Sequence, residues 1–152
     1  MKLLAKAIKI AAVAYEDKLD KGGNPYILHP LNVMMAVQHL GEEAMCAAVL
    51  HDYVEDGKGT IADLRAEFPS SVLANIHTLT RTEEDTDEHY MRYIKRIACS
   101  NNVCISIKLA DLKHNSDISR LKGMGAKDFE RLERYCMAYT YLKNLVESHA
   151  KS

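Results

Sequence analysis

The stretch "EEAMCAAVLHDYVEDG", residues 42–57, opens as a helix that is apolar nearly all round from Ala44 to Leu50 and closes with His51, Asp52, Glu55 and Asp56 within six positions. A helix that is apolar on every side lies at the centre of its domain, and Gly57 supplies a C-terminal stop. On one continuous helix, residues 51 and 52 stand about 100° apart while 51/55 and 52/56 are i,i+4 pairs, so all four side chains can border one pocket. A neutral imidazole beside a carboxylate makes a borderline-to-hard metal corner, and two further carboxylates one turn on can orient a water. The same four residues also read as a solvated helix end with an acidic flank, because short motifs match easily.

Helices with short punctuation extend in both directions. Upstream, "GGNP" at 22–25 ends a first helix, and Pro30 suits the first turn of a second that runs through "LNVMMAVQHL" to Gly41, which puts His29 at a helix entrance. Downstream, Thr60 and Asp63 resemble a capping box for a short helix ending at Phe68-Pro69, and Ser70 or Ser71 caps the next, through Leu79. The acidic "RTEEDTDE" at 81–88 reads as a solvated loop. "HYMRYIKRIAC" and "VCISIKLADLKHNSDISRL" follow as helices separated by Asn101-Asn102. "VCISI" has strand propensity, yet nothing elsewhere offers it a partner. "GMG" at 123–125 breaks the chain before a last long helix from about Lys127 to Ser148. The expected fold class is all-α, a bundle of about eight helices forming a single domain over residues 1–152.

Lys plus Arg number 20 against 21 Asp plus Glu, and a formal charge of −1 gives no overall field to hold a nucleic acid polymer or an anionic membrane. An anionic ligand must therefore be met locally. No run approaches the roughly 20 apolar residues of a membrane span. The opening "MKLLAKAIKIAAVAYEDKLD" has some signal-peptide character. Lys6 and Lys9 interrupt its apolar run, however, and join Lys2, Glu16 and Asp20 near one side at helical spacing, as in an amphipathic helix that stays on the protein. Cys46, Cys99, Cys104 and Cys136 stand singly, without a CxxC pair, which fits a reducing, cytoplasmic setting. His39, His77, His89 and His149 lack partner spacing and read as surface or capping residues.

Two other places bear on the metal reading. His29 is fixed by Pro30, and "KLADLKHN" at 108–115 puts Asp111 in an otherwise apolar helical stretch with Asn115 one turn later on its face. Burying an unpaired carboxylate costs several kcal/mol even after relaxation, so Asp111 calls for a cation, with a metal the strongest candidate. A salt bridge to Lys108 or Lys113 is the alternative for Asp111, and a capping or core histidine is the alternative for His29.

The His of "PYILHP", the doublet and acidic pair of "HDYVED", and the Asp and Asn of "KLADLKHN" occur in this order along the chain. Together they resemble the HD superfamily, specifically the hydrolase domain of the stringent-response alarmone enzymes in its small stand-alone form. The likeness runs from the first helix through "DISRL" to "FERLERYCMAYTYL". It implies a divalent metal, usually manganese, held by His29, His51, Asp52 and Asp111, with Glu55 and Asp56 as the acidic catalytic pair. It also implies hydrolysis of the 3′-diphosphate of guanosine tetra- or pentaphosphate, releasing pyrophosphate. Lys21 stands where the family has a basic residue, Asn115 matches its ribose-contacting asparagine, and Arg120 and Tyr135 are placed to reach the nucleotide.

Two departures stand out: Ala14-Tyr15 where relatives often have Ala-His, and Asp20 where many members have Arg. A carboxylate cannot stack on a base as a guanidinium does, so loose base discrimination is expected, with Asp20→Arg tightening guanine nucleotide binding. The likeness covers the hydrolase and not the synthetase of the long family members, so hydrolysis without synthesis is expected. Other functions compatible with the motifs are an HD-fold phosphomonoesterase acting on a nucleotide, and a non-catalytic module that binds a nucleotide or a protein. The acidic pair favours turnover, since binding alone needs no water-activating carboxylates.

Overall fold

The structure, a computed structural model, describes residues 2–152. Among them are eight α-helices: α1 (Leu3–Ala14), α2 (Leu28–Ala36), α3 (Glu42–Val49), α4 (Ile61–Leu64), α5 (Ser70–Leu79), α6 (Tyr90–Ala98), α7 (Asn102–Asn115) and α8 (Ala126–Ala150). Short 3-10 turns at Gln38–Leu40 and Ile118–Arg120 join them. The extended pairing among the described residues is an isolated antiparallel bridge between Leu19 and Pro25. The all-α class expected from the sequence holds.

α3 is the axis of the bundle and touches α1, α2, α5 and α7. Its Ala44, Cys46, Ala47, Ala48 and Val49 are all buried, and their small size lets neighbouring helices approach closely. Val33, Leu50, Ile76, Ile94, Ile107 and Leu112 fill the space between the elements. "VCISI" lies inside α7, whose start is capped by the Asn101 side chain accepting from Cys104 N at 2.9 Å. Burial in a helical bundle overrides its strand propensity. No helix of the described residues is long and apolar enough to cross a membrane.

Several boundaries differ from the sequence expectation. α3 ends at Val49 rather than Gly57, and residues 51–57 form consecutive turns, with Tyr53 N donating to Leu50 O at 3.0 Å and Asp56 N to Asp52 O at 2.8 Å. The His51 ring lies 2.7 Å from the Ala48 carbonyl through Nδ1, engaging an oxygen that a continuing helix would pair with the Asp52 amide. Gly57 does close the segment, at φ +66°. α1 stops at Ala14, because Tyr15 turns into the core and Asp20 organises the following loop by accepting from Gly22 N and Asn24 N, both at 2.9 Å. The second helix breaks at Val37. Thr60 and Asp63 form their reciprocal capping box, whereas α5 takes Pro69 at its N-cap and the Ser71 hydroxyl donates to Glu43 at 2.5 Å.

The loop 81–88 is ordered around Asp85, which is buried rather than solvated. Its carboxylate accepts from Arg96 Nη1 at 3.1 Å and Nη2 at 2.7 Å, and from Thr82 N at 2.9 Å. The Arg96 hydrogen bonds, against the cost of burial, hold the carboxyl down at about 2. A depressed native pKa contributes stability above the unfolded value of about 3.9, and that contribution is lost as pH falls toward about 2. Asp85→Asn is therefore expected to lose about 2 kcal/mol at neutral pH and to show a flatter acid limb between about pH 4 and 2, measured by urea unfolding across pH. Equal stability of the two proteins at pH 7 would remove Asp85 as the organiser of this loop.

Candidate metal centre and active site

Three elements bring four side chains together. α2 presents His29, the turn after α3 presents His51 and Asp52, and α7 presents Asp111. His29 Nε2 lies 3.1 Å from Asp111 Oδ1 and 3.8 Å from Asp52 Oδ2, while His51 Nε2 lies 3.2 Å from Asp52 Oδ2 and 3.5 Å from Asp111 Oδ1. One ligand atom each from His29, His51 and Asp111 falls within a mutual 4.8 Å. Both Nε2 atoms are buried and lack a hydrogen-bond partner, which is costly unless something else takes their lone pairs.

The outer nitrogens explain how those lone pairs come to point inward. His51 Nδ1 sits 2.7 Å from the Ala48 carbonyl, which can only accept, so Nδ1 carries a proton and Nε2 is the nitrogen turned toward the cluster. His29 Nδ1 sits 2.7 Å from His114 Nδ1. Burial, the Arg120 guanidinium and His29 push His114 down to about 4, so it is neutral at physiological pH. In the tautomer in which His29 Nδ1 donates to His114 Nδ1, His29 Nε2 turns its lone pair toward the cluster.

The carboxylates are equally constrained. Lys108 Nζ donates to Asp111 Oδ2 at 2.7 Å and Asn115 Nδ2 donates to Oδ1 at 2.8 Å. Asp111 thus faces both the salt bridge proposed as its alternative and the histidine pair. Although burial opposes its ionised form, Lys108 and the two histidines hold its carboxyl well below the usual range. Burial likewise opposes the charged form of Asp52, and His51 outweighs it, while the Tyr26 hydroxyl donates to Oδ2. Burial alone would lower His51, but Asp52 and Asp111 raise it well above its ordinary value. A proton and a divalent cation compete for the same nitrogen. Two imidazole lone pairs and two ionised carboxylates fit a divalent cation of borderline-to-hard character.

Glu55 and Asp56 flank this cluster in different environments. Glu55 Oε1 accepts from Arg81 N at 2.8 Å, and burial, assisted by Asp52, raises its carboxyl above the ordinary value. Asp56 is paired with Lys18 Nζ at 2.6 Å, and that ammonium also lies 3.7 Å from the Tyr26 ring centroid.

Beside the cluster is a cleft of about 260 Å³ whose lining includes Lys21, Asn115, Arg120 and Tyr135, the four residues expected to meet substrate. Asp20 also lines it, and here the structure changes the sequence expectation. Its Oδ2 accepts from Arg120 Nη2 at 3.1 Å, and Arg120 Nη1 donates to the His114 carbonyl at 2.8 Å. Asp20 is a fastener of the loop, not a free charge facing the ligand. Asp20→Arg is accordingly expected to lower stability by about 1 kcal/mol and to raise rather than lower the KM for a nucleotide, read from melting curves and initial rates. A tighter-binding variant of unchanged stability would restore the simpler view.

Sequence reasoning missed His114, Tyr26 and Lys18. His114 sits three positions after Asp111 in α7, a spacing that puts it on the same side of the helix, but its contact with His29 spans 85 residues.

Comparison with known proteins identifies the family. The family model described as HD domain matches residues 7–114. The chain is 33% identical to a guanosine-3′,5′-bis(diphosphate) 3′-pyrophosphohydrolase of Haemophilus influenzae over 91% of its length and 23% of that protein's. It is 32% identical to the bifunctional (p)ppGpp synthase/hydrolase SpoT of Escherichia coli over 76% of its own length and 18% of that protein's. The chain therefore spans less than a quarter of these relatives. Among solved structures, a metazoan orthologue of SpoT, described as hydrolysing ppGpp and playing a role in starvation responses, shares the fold at a TM-score of 0.75 with 24% identity, over 97% of this chain and 85% of that one. With its family match covering more than two thirds of its residues and all three motifs meeting in one cluster, the chain belongs to the HD domain family.

Proposed function

We propose that residues 1–152 form a single metal-dependent hydrolase domain acting on guanosine 3′,5′-bis(diphosphate) or its pentaphosphate form, cleaving the 3′-diphosphate to release pyrophosphate. The observation that carries this reading is the pair of partnerless imidazole nitrogens, His29 Nε2 and His51 Nε2, facing the Asp52 and Asp111 carboxylates inside the core. In this reading His29, His51, Asp52 and Asp111 hold a divalent cation, manganese. Bound there, such a cation supplies acidification of a water and polarisation of a phosphate oxygen.

The protein's own groups divide the remaining work. Glu55, with its carboxyl raised by burial, takes the proton of the attacking water, a task that favours a pKa nearer the working pH. Asp56, held by Lys18, stays as the second carboxylate that orients that water. Lys21 and Arg120 offer cations to phosphate, Asn115 offers an amide to the ribose, and Tyr135 gives the cleft an aromatic wall. Water adds to the phosphorus bonded to the 3′-oxygen, that P–O bond breaks, and GDP or GTP leaves with its 3′-hydroxyl restored. The free thiols of Cys46, Cys99, Cys104 and Cys136 fit a cytoplasmic enzyme.

Phosphorus NMR of a manganese-loaded reaction tests the proposal. One pyrophosphate per nucleoside 5′-diphosphate is expected from the tetraphosphate. Orthophosphate as the sole product would identify a phosphomonoesterase, and retention of intact substrate would identify a binding module.

A further inference from the structure

A second cleft, of about 470 Å³, lies between the 81–88 loop and α8 and joins the first through Lys21, Arg131 and Tyr135, which line both. Its walls carry five cations against two carboxylates, Asp87 and Glu130. Asp87 bridges it: one carboxylate oxygen lies 3.3 Å from Arg81 Nη2 and the other 3.3 Å from Arg134 Nη2. The Asp87 side chain is 66% exposed, so this bridge is screened by water and easily displaced.

The two arginines are unequal in freedom. Arg81 is fixed, donating from Nε to the Asp85 carbonyl at 3.0 Å with its guanidinium over the Tyr90 ring, and its backbone N–H holds Glu55. Arg134 reaches across from α8 and finds only Asp87 as an ion-pair partner among the described residues. Two guanidinium groups sharing one oxyanion present the donor pattern that recognises phosphate, which offers more oxygens and more charge than a carboxylate.

The geometry points to a second anion subsite made by Arg81 and Arg134, which receives a phosphate or diphosphate group in exchange for the Asp87 carboxylate. Asp87 is the internal surrogate for that group. The occupant is either the nucleotide's 5′-diphosphate or the released pyrophosphate. Its origin in a nucleotide rests on the function proposed above, while the anion subsite itself does not. The contact between Arg81 N and Glu55 places this exchange beside the carboxylate assigned as base.

Calorimetric titration of metal-stripped protein with inorganic pyrophosphate reads the subsite without turnover. Asp87→Asn removes the competing charge and should bind about threefold or more tightly than the unmodified protein. Arg134→Gln should bind about tenfold more weakly, the size of one lost charge-assisted bond. Equal affinities in all three proteins, or no binding by any, overturn the subsite. Kinetics with guanosine 3′-diphosphates bearing or lacking the 5′-diphosphate separate the two sources. If the subsite takes the 5′-diphosphate, Arg134→Gln raises KM only when that group is present. If it takes the leaving pyrophosphate, the variant affects both substrates equally and weakens product inhibition. Failure of every nucleotide to react, with the pyrophosphate pattern intact, would overturn the proposed function and leave the subsite standing.

Discussion

His51→Ala and Asp111→Ala are expected to bind a divalent cation at least about 100-fold more weakly than the unmodified protein, since losing even an outer partner of a metal ligand costs 10–100-fold. Turnover falls with occupancy, so excess manganese restores it only at concentrations raised in proportion to the weakened binding. The two variants differ in stability. His51→Ala takes the imidazole from beside Asp52 Oδ2 at 3.2 Å and Asp111 Oδ1 at 3.5 Å, while the Tyr26 hydroxyl and Lys108 still hold those carboxylates, so the fold without metal is weakened less. Asp111→Ala leaves Lys108 buried without its carboxylate, a loss of about 3–5 kcal/mol. Metal analysis by mass spectrometry, paired with urea unfolding of stripped protein, separates these effects. Undiminished metal content in both variants contradicts the ligand set.

Glu55→Gln should keep the metal and lose about 10²–10⁴-fold in kcat, the scale of a missing general base. Glutamine can still accept from Arg81 N, which bonds Oε1 at 2.8 Å in the native chain, so local geometry survives and KM changes little. The pH profile carries a second test. Burial raises the Glu55 carboxyl above the usual carboxylate range, and a base works only when deprotonated. The acid limb of kcat/KM should therefore fall as pH drops through a value above about 4.3, and the variant should lack that limb. Turnover by Glu55→Gln at the unmodified rate would transfer the base role elsewhere.

Much of this site was legible because each motif is local. Pro30 after His29, the 51–56 cluster, and Asp111 with Asn115 one turn on all lie within a few residues of their partners, and residue type alone restricts what such clusters can do. Even the helix misassigned to residues 50–56 did little harm, because its turns keep the Asp52 to Asp56 bond at 2.8 Å and so preserve the local spacing. What sequence periodicity could not resolve is set by contacts distant in the chain. His114 orients His29 across 85 residues, and Arg120 neutralises Asp20 across 100. Asp85 looks solvated among its acidic neighbours until Arg96 arrives from α6. The end of α3 was missed for a related reason: the Ala48 carbonyl is engaged by a side chain, and hydrophobic patterning carries no record of such competition.

Anomalous diffraction at the manganese edge, from crystals grown with that ion, tests the central claim most directly. A single peak at bonding distance from His29 Nε2, His51 Nε2, Asp52 Oδ2 and Asp111 Oδ1 is predicted. A cluster free of anomalous density at saturating manganese, or a peak bound elsewhere, would contradict it.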